Sequence, residues 1–418
     1  MVRDLEVLPQ DSAHYIPDLS RELISQKKQN RLFKEFKKQH FAPWDRSQPK
    51  HDTDILLWGF DAFEDREVYG ENHLPLSEEW WKEMRARSDI SGYPSRHEPA
   101  ITVDNASMRV FPTQRPVFRD PEKPGQGFPF DLAQNSLIPA GTPVLITHIA
   151  RDGNWIWVET EYVAGWMPAS KLARVGQEFM HKYRDKDLAG FMRDETGVFT
   201  RQGNFVFTGR IGTVLPLDPE KGVWVPVRDE QGKAELIPGE ASQEAISELP
   251  LRATGKNFAR VLNSMLGQAY GWGGLYSNRD CSALLQDIYR MFGIYLPRNS
   301  ADQKEVGKPM SLEGLSQEKK LELIREKGQP LLTILYMPGH VMLYLGQDPE
   351  SGQPVVYHSL WGLRISRFLQ DPGRHVIGRT VITSLKPGQE LVRLARPEGL
   401  LIHRLSHLTV VADSKDRL

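Results

Sequence analysis

The hydrophobic pattern of the chain changes its period along the sequence. Between about 100 and 250, apolar and polar residues alternate in short segments such as TPVLITHIA and NWIWVET, separated by Gly, Pro, Asn and Asp turns. This pattern predicts the short strands of a small β-barrel. It occurs twice, because Gly141–Thr142 corresponds to Gly212–Thr213 and WIWVET corresponds to VWVPVRD. We therefore expect two consecutive copies of one barrel.

The first 95 residues predict a mostly helical N-terminal cap. A helix is expected to begin at Asp18 or Ser20, run through RELISQKKQNRLFKEFKKQ and end before Pro43. We interpret its lysines as a solvated face, and not as a phosphate or membrane patch, because acidic residues elsewhere balance them. Trp80 and Trp81 lie in an aromatic-rich stretch and are expected to anchor the cap against the other domains.

Beyond residue 250 the pattern becomes helical and then returns to strands. Apolar residues share a helical face in TGKNFARVLNSMLGQ and again in CSALLQDIYRMF, which predicts two packed helices. Asp280 is the expected N-cap of the second helix, and Gly293 its expected stop. After a polar helical region at 311–328, LLTILYMPGHVMLYLG predicts two strands that separate at Pro338–Gly339.

Length and charge limit the possible classes of function. The 418 residues suggest three or four domains, and 53 Lys and Arg balance 54 Asp and Glu. This balance does not favour nucleic acid or an anionic membrane as a partner. The sequence has no phosphate-binding loop or dinucleotide fingerprint, and no apolar run approaches the roughly eighteen residues of a membrane helix. We expect a soluble monomer, from which an export signal or lipid anchor has been removed if it acts outside the cytoplasm.

The candidate chemistry starts from Cys281, the only cysteine of the chain. Its predicted place in the first turn of a helix favours the thiolate, because the positive end of the helix dipole stabilises a negative charge. His340 opens one predicted strand, and His358 lies on the next, expected at 354–360 and ending at Trp361–Gly362. These residues can supply the nucleophile, the base and the group that orients the base in a thiol amidase.

Other interpretations of these three residues remain open. A lone cysteine is often a small buried apolar residue, and a histidine on an apolar strand is often a satisfied core side chain. Cysteine and histidine are also zinc ligands, although Cys281, His340 and His358 have no C-x-x-C or H-x-x-x-H spacing among them.

Several short motifs over about 251–385 resemble the NlpC family of papain-like cell-wall cysteine endopeptidases. They are Tyr270-Gly-Trp-Gly-Gly274, Asp280-Cys281-Ser282, Leu296-Pro297-Arg298-Asn299-Ser300 with Gln303, Gly339-His340-Val341 and Tyr357-His358. The resemblance implies a catalytic triad of Cys281, His340 and His358, with the Tyr270 hydroxyl and the Cys281 amide beside the oxyanion. We expect His340 to take the Cys281 proton, which gives a thiolate and imidazolium pair, and His358 to orient His340.

The two barrels resemble bacterial SH3-like domains. The predicted fold is α+β and multidomain, with a helical cap at 1–95, SH3-like barrels at 96–176 and 177–250, and a papain-like catalytic domain with a docking tail at 251–418. Loops of the first barrel are expected to close one end of the substrate groove, where Phe111, Phe118, Phe128 and Phe130 would shape the site. His403 and His407 have the i, i+4 spacing of a metal pair but are interpreted as surface residues of the tail. No cofactor and no metal are expected.

The resemblance also implies a substrate, the amide between γ-D-glutamate and a diamino acid, commonly meso-diaminopimelate, in peptidoglycan stem peptides. The expected substrate contacts are Asp280, Ser282, Arg298, Asn299 and Ser300. Relatives that recycle free peptides tend to have Asp where this chain has Asn299, which lacks a charge for the ammonium of an N-terminal L-alanine. We therefore expect a lysin of intact wall in the periplasm or cell envelope. A cytoplasmic recycling endopeptidase, a non-catalytic wall-binding protein and a papain-like acyltransferase or amidase on another substrate remain alternatives.

Overall fold

The computed structural model describes residues 2–220, 222–367 and 370–412. Within them, the α-helices are α1 (Asp4–Val7), α2 (Gln26–Asp45), α3 (Asp54–Phe63), α4 (Glu78–Ser88), α5 (Gln177–Arg184), α6 (Gly255–Asn263), α7 (Cys281–Met291), α8 (Ser300–Gln303), α9 (Gln317–Lys327) and α10 (Leu401–Arg404). None of these helices is long and apolar enough to cross a membrane.

The β-strands of the described residues are labelled in the same way. They are β1 (Glu98–Thr102), β2 (Ala106–Arg109), β3 (Gln134–Ile138), β4 (Pro143–Ile149), β5 (Trp155–Glu159), β6 (Ala164–Pro168), β7 (Leu172–Arg174), β8 (Leu188–Phe191), β9 (Thr196–Thr200), β10 (Phe205–Gly209), β11 (Val214–Asp218), β12 (Gly222–Arg228), β13 (Ala234–Glu240), β14 (Ile246–Glu248), β15 (Lys308–Ser311), β16 (Thr333–Met337), β17 (His340–Gln347), β18 (Pro354–Arg367), β19 (Gln370–Ser384) and β20 (His407–Val410).

The chain divides into two compact units, and each unit is built from segments that are not consecutive in the sequence. The barrel unit comprises Glu35–Pro250 and Gly271–Ser277. The thiol unit, named for Cys281, comprises Met1–Lys34, Leu251–Tyr270 and Asn278–Leu418.

The barrel unit contains two seven-stranded sheets with the same strand order. The first sheet is β3-β2-β6-β5-β4-β1-β7 and the second is β10-β9-β13-β12-β11-β8-β14. The number of each strand in the second sheet is seven higher than that of its counterpart in the first. The paired glycines before β4 and β11, Gly141 and Gly212, have φ of 78° and 89°, values that residues with a side chain rarely adopt. The predicted repetition of one barrel is confirmed.

Aromatic side chains pack the helices of the barrel unit against its first sheet. The ring of Phe111 lies 5.1 Å from Phe60 of α3, and 5.5 and 5.6 Å from Trp80 and Trp81 of α4. The anchoring predicted for the two tryptophans is confirmed. Phe111 and Phe118 are buried, so the expectation that they shape the substrate site is wrong for these two residues. Their rings stabilise the fold of the unit.

The first long helix begins later and ends later than the sequence suggested. In place of a helix start, Asp18 Oδ1 accepts hydrogen bonds from the backbone N–H and the hydroxyl of Ser20, at 2.9 and 2.6 Å. Such local bonds favour a turn over a helix. The helix α2 then runs from Gln26 through Pro43 to Asp45. Pro43 cannot donate to the carbonyl four residues earlier, and it lies in the last turn, so the helix ends two residues later at Asp45.

The thiol unit is built on one antiparallel sheet, in the order β15-β20-β16-β17-β18-β19. β16 and β17 form a hairpin in which Met337 pairs with His340 across the predicted Pro338–Gly339 break. β18 extends to Arg367, past its predicted end at Trp361–Gly362. At that point the register of its pairing with β19 shifts at a bulge between Leu360 and Gly362. The predicted helical region at 311–328 is shorter than expected, because β15 occupies its first residue and α9 starts at Gln317.

The C-terminal segment forms an internal strand of this sheet. β20 pairs with β15 on one side and with β16 on the other. The prediction of a tail that only docks on the body is therefore wrong. His403 lies on α10 and His407 begins β20, so the two do not share one helical face.

Two predicted helices pack together beneath the thiol. Thr254 caps α6 by accepting a hydrogen bond from the backbone N–H of Asn257. Phe258 of α6 stacks on Phe292, just after α7, with ring centroids 3.8 Å apart. Gly293 has a φ of 68° and ends α7 as predicted. This packing joins α6 to the C-terminal end of α7.

Candidate active site

Cys281 is the first residue of α7, and its surroundings explain its position. The N-cap Asp280 accepts a hydrogen bond from the backbone N–H of Ala283 at 2.8 Å, as expected for this residue type. The thiol is buried and accepts a hydrogen bond from the backbone N–H of Val341. Since Val341 follows His340 on β17, the sulfur lies beside the start of the strand that carries the predicted base.

The environment of the sulfur favours the neutral thiol. Burial, together with the neighbouring Asp280 carboxylate, raises the pKa of Cys281 to about 12. Backbone amides and Arg298 oppose this effect without reversing it. Desolvation thus opposes the thiolate that the helix N-terminus favours.

The side chains of His340, His358 and Thr383 form a hydrogen-bonded relay that starts at the predicted base. His340 Nε2 lies 2.8 Å from His358 Nδ1, and His358 Nε2 lies 3.1 Å from Thr383 Oγ1. The Thr383 hydroxyl donates to the carbonyl of Ser384 at 2.8 Å, so it accepts from His358 Nε2–H. His358 Nδ1 must then accept from His340 Nε2–H. This assignment leaves Nδ1 of His340 as the basic nitrogen.

Both imidazoles are held in the neutral form. Burial, together with the positive charge of Arg404, lowers the pKa of His340 to about 3. Burial and the neighbouring His340 lower the pKa of His358 well below its usual value. Both shifts disfavour the imidazolium expected in a resting ion pair with Cys281.

Comparison with known proteins identifies the domains of the chain. A sequence model of the NlpC/P60 family matches residues 267–353, and a model of its N-terminal stabilising domain matches residues 1–93. The chain thus contains an NlpC/P60 peptidase domain. Models of an SH3 domain of the SH3b1 type and of the SH3b2 type match residues 116–168 and 177–221, so both barrels are SH3-like.

Two relatives and one solved structure extend the comparison. The chain is 23% identical over 226 residues to a gamma-D-glutamyl-L-lysine dipeptidyl-peptidase of Bacillus subtilis, which covers 51% of this chain and 72% of that protein. It is 33% identical over 111 residues to a probable endopeptidase NlpC homolog of Haemophilus influenzae, which covers 25% of this chain and 54% of that protein. An NlpC/P60 endopeptidase from Photobacterium damselae subsp. piscicida has the same fold, with a TM-score of 0.89 and 24% identity over 97% of this chain and 98% of the other.

The NlpC/P60 motif around Arg298 forms a buried network at the start of α7. Arg298 donates to Asp280 Oδ2 at 2.5 Å and to Ser282 Oγ at 2.8 Å. Burial by itself raises the pKa of Asp280, but Arg298 and the surrounding hydrogen bonds outweigh burial and lower it. Gln303 donates to the carbonyls of Ser282 and Pro297, at 2.9 and 2.8 Å, and so ties the motif to the helix.

The other predicted substrate contacts lie at the edge of this network. Asn299 is exposed, and its amide donates to Asp302 Oδ2 at 3.3 Å. Ser300, half-buried, begins α8. The structure thus places the Asp302 carboxylate beside Asn299, and this neighbour was not predicted from the sequence.

Tyr270 of the family motif interacts electrostatically with the nucleophile. Burial raises the pKa of Tyr270 well above its usual value, and the negative forms of Cys281 and Asp280 raise it further. The phenol therefore stays protonated and can donate a hydrogen bond. Its backbone N–H donates to the carbonyl of Gly378 at 2.8 Å, which positions it on β19.

The segment Gly271–Ser277 belongs to the barrel unit, where it packs on β3. Gln134 Nε2 donates to the carbonyl of Gly273 at 2.9 Å, and Phe130 lies 5.3 Å from Trp272. Gly273 and Gly274 have φ of 57° and 85°. A Cβ on Gly274 would lie 2.4 Å from Leu137 Cβ, so this motif glycine is required by packing as well as by conformation.

Two contributions to the site had no clear signal in the sequence. Thr383 lies in a β-strand, where threonine is common, and only its place opposite His358 gives it a role. Arg279 is buried and pairs with Asp287 Oδ2 at 2.7 Å, while its carbonyl accepts from Ser359 Oγ at 2.9 Å. These bonds hold the segment before Cys281 on β18. Among the described residues, no group of three His, Cys, Asp or Glu side chains could hold a metal ion.

Proposed function

We propose that this peptidase hydrolyses the amide between γ-D-glutamate and meso-diaminopimelate in peptidoglycan stem peptides, through Cys281, His340 and His358. The observation that carries this proposal is the hydrogen-bonded relay from His340 through His358 to Thr383, beside a thiol at a helix N-terminus. A nucleophile, a base and a group that orients the base are the components of a thiol amidase.

The proposed reaction begins with two neutral groups. As the substrate carbonyl approaches, Nδ1 of His340 accepts the thiol proton and the Cys281 sulfur attacks the carbonyl carbon. The oxyanion accepts hydrogen bonds from the Tyr270 hydroxyl and from the Cys281 backbone amide. His340 then gives the proton to the departing amine, and a water molecule that His340 deprotonates hydrolyses the thioester.

His358 orients His340 in this scheme and carries no charge. Cys281→Ala and His340→Ala are expected to abolish turnover, whereas His358→Gln retains part of it. Equal and complete loss in His358→Gln, with the fold intact, would contradict an orienting role. The buried pair of Asp280 and Arg298 supports the start of α7, where Arg298 also donates to the Ser282 hydroxyl.

We further propose that intact cell wall is the substrate, in the periplasm or cell envelope. Asn299 offers no charge to the free ammonium of an N-terminal L-alanine, so an alanine that is still joined to muramic acid is accepted. The two SH3-like barrels are consistent with binding to the wall.

Mass spectrometry of the products tests both parts of the proposal. Wild-type protein and Cys281→Ala are incubated with intact sacculi and with free L-Ala-γ-D-Glu-meso-diaminopimelate. Release from sacculi of fragments that begin with diaminopimelate, with L-alanyl-γ-D-glutamate left on muramic acid, by the wild type only, is the expected result. Cleavage of the free peptide alone would instead identify a recycling endopeptidase. Cleavage of neither substrate would overturn the proposed scissile bond.

A further inference from the structure

Three arginines of the thiol unit lie near one another, and Arg404 lies near the proposed base. Arg364 of β18 and Arg374 of β19 are directly opposite each other in the antiparallel pair. Arg404, the last residue of α10, donates through Nη2 to the carbonyl of Pro338 at 3.1 Å. Pro338 precedes His340 by two residues, so the third guanidinium lies at the turn that leads into the base.

Nothing in the described part of the chain balances these charges. Arg364, Arg374 and Arg404 form no ion pair with any residue that the structure describes. Like charges directly opposite each other destabilise a sheet. Partial burial and the charges of Arg364 and Arg404 lower the pKa of Arg374, and partial burial and Arg364 lower that of Arg404. The fold therefore keeps three mutually repelling cations at a cost in stability.

The position of the cluster indicates which part of a substrate would meet it. His340 must deliver its proton to the departing amine, so the departing residue has to lie against His340. Arg404 is close enough for its charge to lower the pKa of His340. Arg364 and Arg404 are exposed and Arg374 is half-buried, so the guanidinium groups are accessible from solvent. Guanidinium groups bind carboxylates through paired, charge-assisted hydrogen bonds.

We propose that Arg364, Arg374 and Arg404 form a carboxylate-binding site for the amino acid that leaves with the new amine. This inference rests on the proposed function, since the departing residue there is meso-diaminopimelate, which carries carboxylates that a departing lysine amide lacks. The site favours an acidic leaving residue. The carboxylates of that residue supply the counter-charge that no described residue of the chain supplies.

Two peptides and four proteins test the site through cleavage. The peptides are L-Ala-γ-D-Glu-meso-diaminopimelate and the same peptide with both diaminopimelate carboxylates converted to amides. The proteins are the wild type, Arg364→Met, Arg374→Met and the control Arg325→Met, whose guanidinium lies on α9 and bonds to Gln353. Arg404 is left unchanged because it contacts the turn before His340.

The site predicts a preference that depends on the arginines. We expect the wild type to favour the carboxylate peptide by about tenfold or more in kcat/KM, as for one charge-assisted interaction. Arg364→Met and Arg374→Met should remove most of this preference by slowing the carboxylate peptide alone, and Arg325→Met should retain it. Equal rates for both peptides in the wild type, or an equal loss for both in the variants, would overturn the site while the proposed function stands.

Isothermal titration calorimetry tests the carboxylate-binding site independently of the proposed reaction. Free meso-diaminopimelate is titrated into Cys281→Ala and into Cys281→Ala with Arg364→Met. Binding to the first and about tenfold weaker binding to the second supports the site, even if neither peptide is cleaved and the proposed function fails. Binding that is equal in the two proteins, or absent from both, overturns it.

Discussion

At the scale of single residues, one threonine hydroxyl sets the tautomers of two histidines. Thr383 Oγ1 donates to the Ser384 carbonyl and accepts from His358, which in turn accepts from His340. The nitrogen of His340 that remains without a proton is therefore Nδ1. Thr383 touches neither the substrate nor the thiol in this scheme, so it acts as a positioning residue through the two imidazoles.

Replacing Thr383 by valine tests this role. Thr383→Val leaves the buried N–H of His358 without an acceptor, which costs about 1–3 kcal/mol and favours the other tautomer. We expect kcat to fall about tenfold or more with little change in KM, and Thr383→Ser to restore it. The control is Thr409→Val in the same sheet, where Thr409 Oγ1 donates to the Lys304 carbonyl at 2.6 Å. A similar loss of kcat in this control would argue against a specific role for Thr383.

The neutral state of the two histidines makes stability depend on pH. The pKa of His340 is about 3 in the folded protein and 6.5 in its ordinary state, so the unfolded chain binds the extra proton between these values. The contribution of this histidine to the free energy of unfolding is therefore fully present above about pH 6.5. It is lost as the pH falls, by up to about 1.4 kcal/mol per pH unit for each such histidine. His358 contributes in the same direction.

Urea unfolding between pH 7 and pH 5 measures this dependence. His340→Gln is expected to lower the slope of unfolding free energy against pH, because one neutral buried imidazole is removed. His403→Gln, at an exposed position on α10, serves as the control and should retain the wild-type slope. An unchanged slope in His340→Gln would show that His340 is not held neutral by the fold.

At the scale of elements, a lysine of α9 completes the C-terminal end of α10. Lys320 Nζ donates to the carbonyls of Ile402, His403 and Leu405, at 3.3, 2.9 and 2.7 Å. The last carbonyls of a helix have no partner within the helix, and they favour a nearby cation. This contact stabilises the segment that leads from α10 into the internal strand β20.

Two adjacent lysines of α9 provide a matched pair of variants. Lys320→Met removes the donor for three carbonyls and is expected to lower the free energy of unfolding by about 2–3 kcal/mol. Lys319 is on the exposed side of the helix and pairs with Glu322 at 2.8 Å, so Lys319→Met should cost at most about 0.5 kcal/mol. Urea unfolding curves measure both. Equal, small effects would show that the buried ammonium makes no net contribution.

At the scale of the whole molecule, the thiol unit combines segments that lie far apart in the sequence. Gln29 of α2 donates to the carbonyls of Leu251 and Phe292, at 2.6 and 3.1 Å, and accepts from the Ala253 N–H at 3.1 Å. One buried amide thus joins the N-terminal stretch, the start of the region after the barrels and the end of α7. The first residues of the chain are part of the unit that holds the thiol.

A second glutamine on α2 gives the control for this contact. Gln29→Leu leaves three buried backbone groups without a partner, and we expect it to lower the stability of the thiol unit by about 2–4 kcal/mol. Gln39→Leu removes only an exposed bond to Glu35 and should change stability by less than about 0.5 kcal/mol. Hydrogen exchange of amides in α7 reports the difference. Unchanged protection of α7 in Gln29→Leu would contradict the proposed connection.

Features that depend on neighbouring residues could be predicted from the sequence. The N-cap Asp280, the stop at Gly293, the hairpin break at Pro338–Gly339 and the repetition of the barrel follow from local conformational preferences and from the period of apolar residues. The motif residues were also identifiable, since their types and order resemble a family whose members share this fold.

Features that depend on burial and on distant partners required the tertiary structure. The sequence favoured a thiolate at Cys281 because it contains the helix start, but only folding removes water from the sulfur, and this desolvation raises its pKa. The role of Thr383 and the place of β20 inside the sheet depend on residues far away along the chain. Local sequence therefore determined the elements and the candidate nucleophile, whereas tertiary packing decided the protonation states and the pairing of strands, because both depend on which groups surround a residue in space.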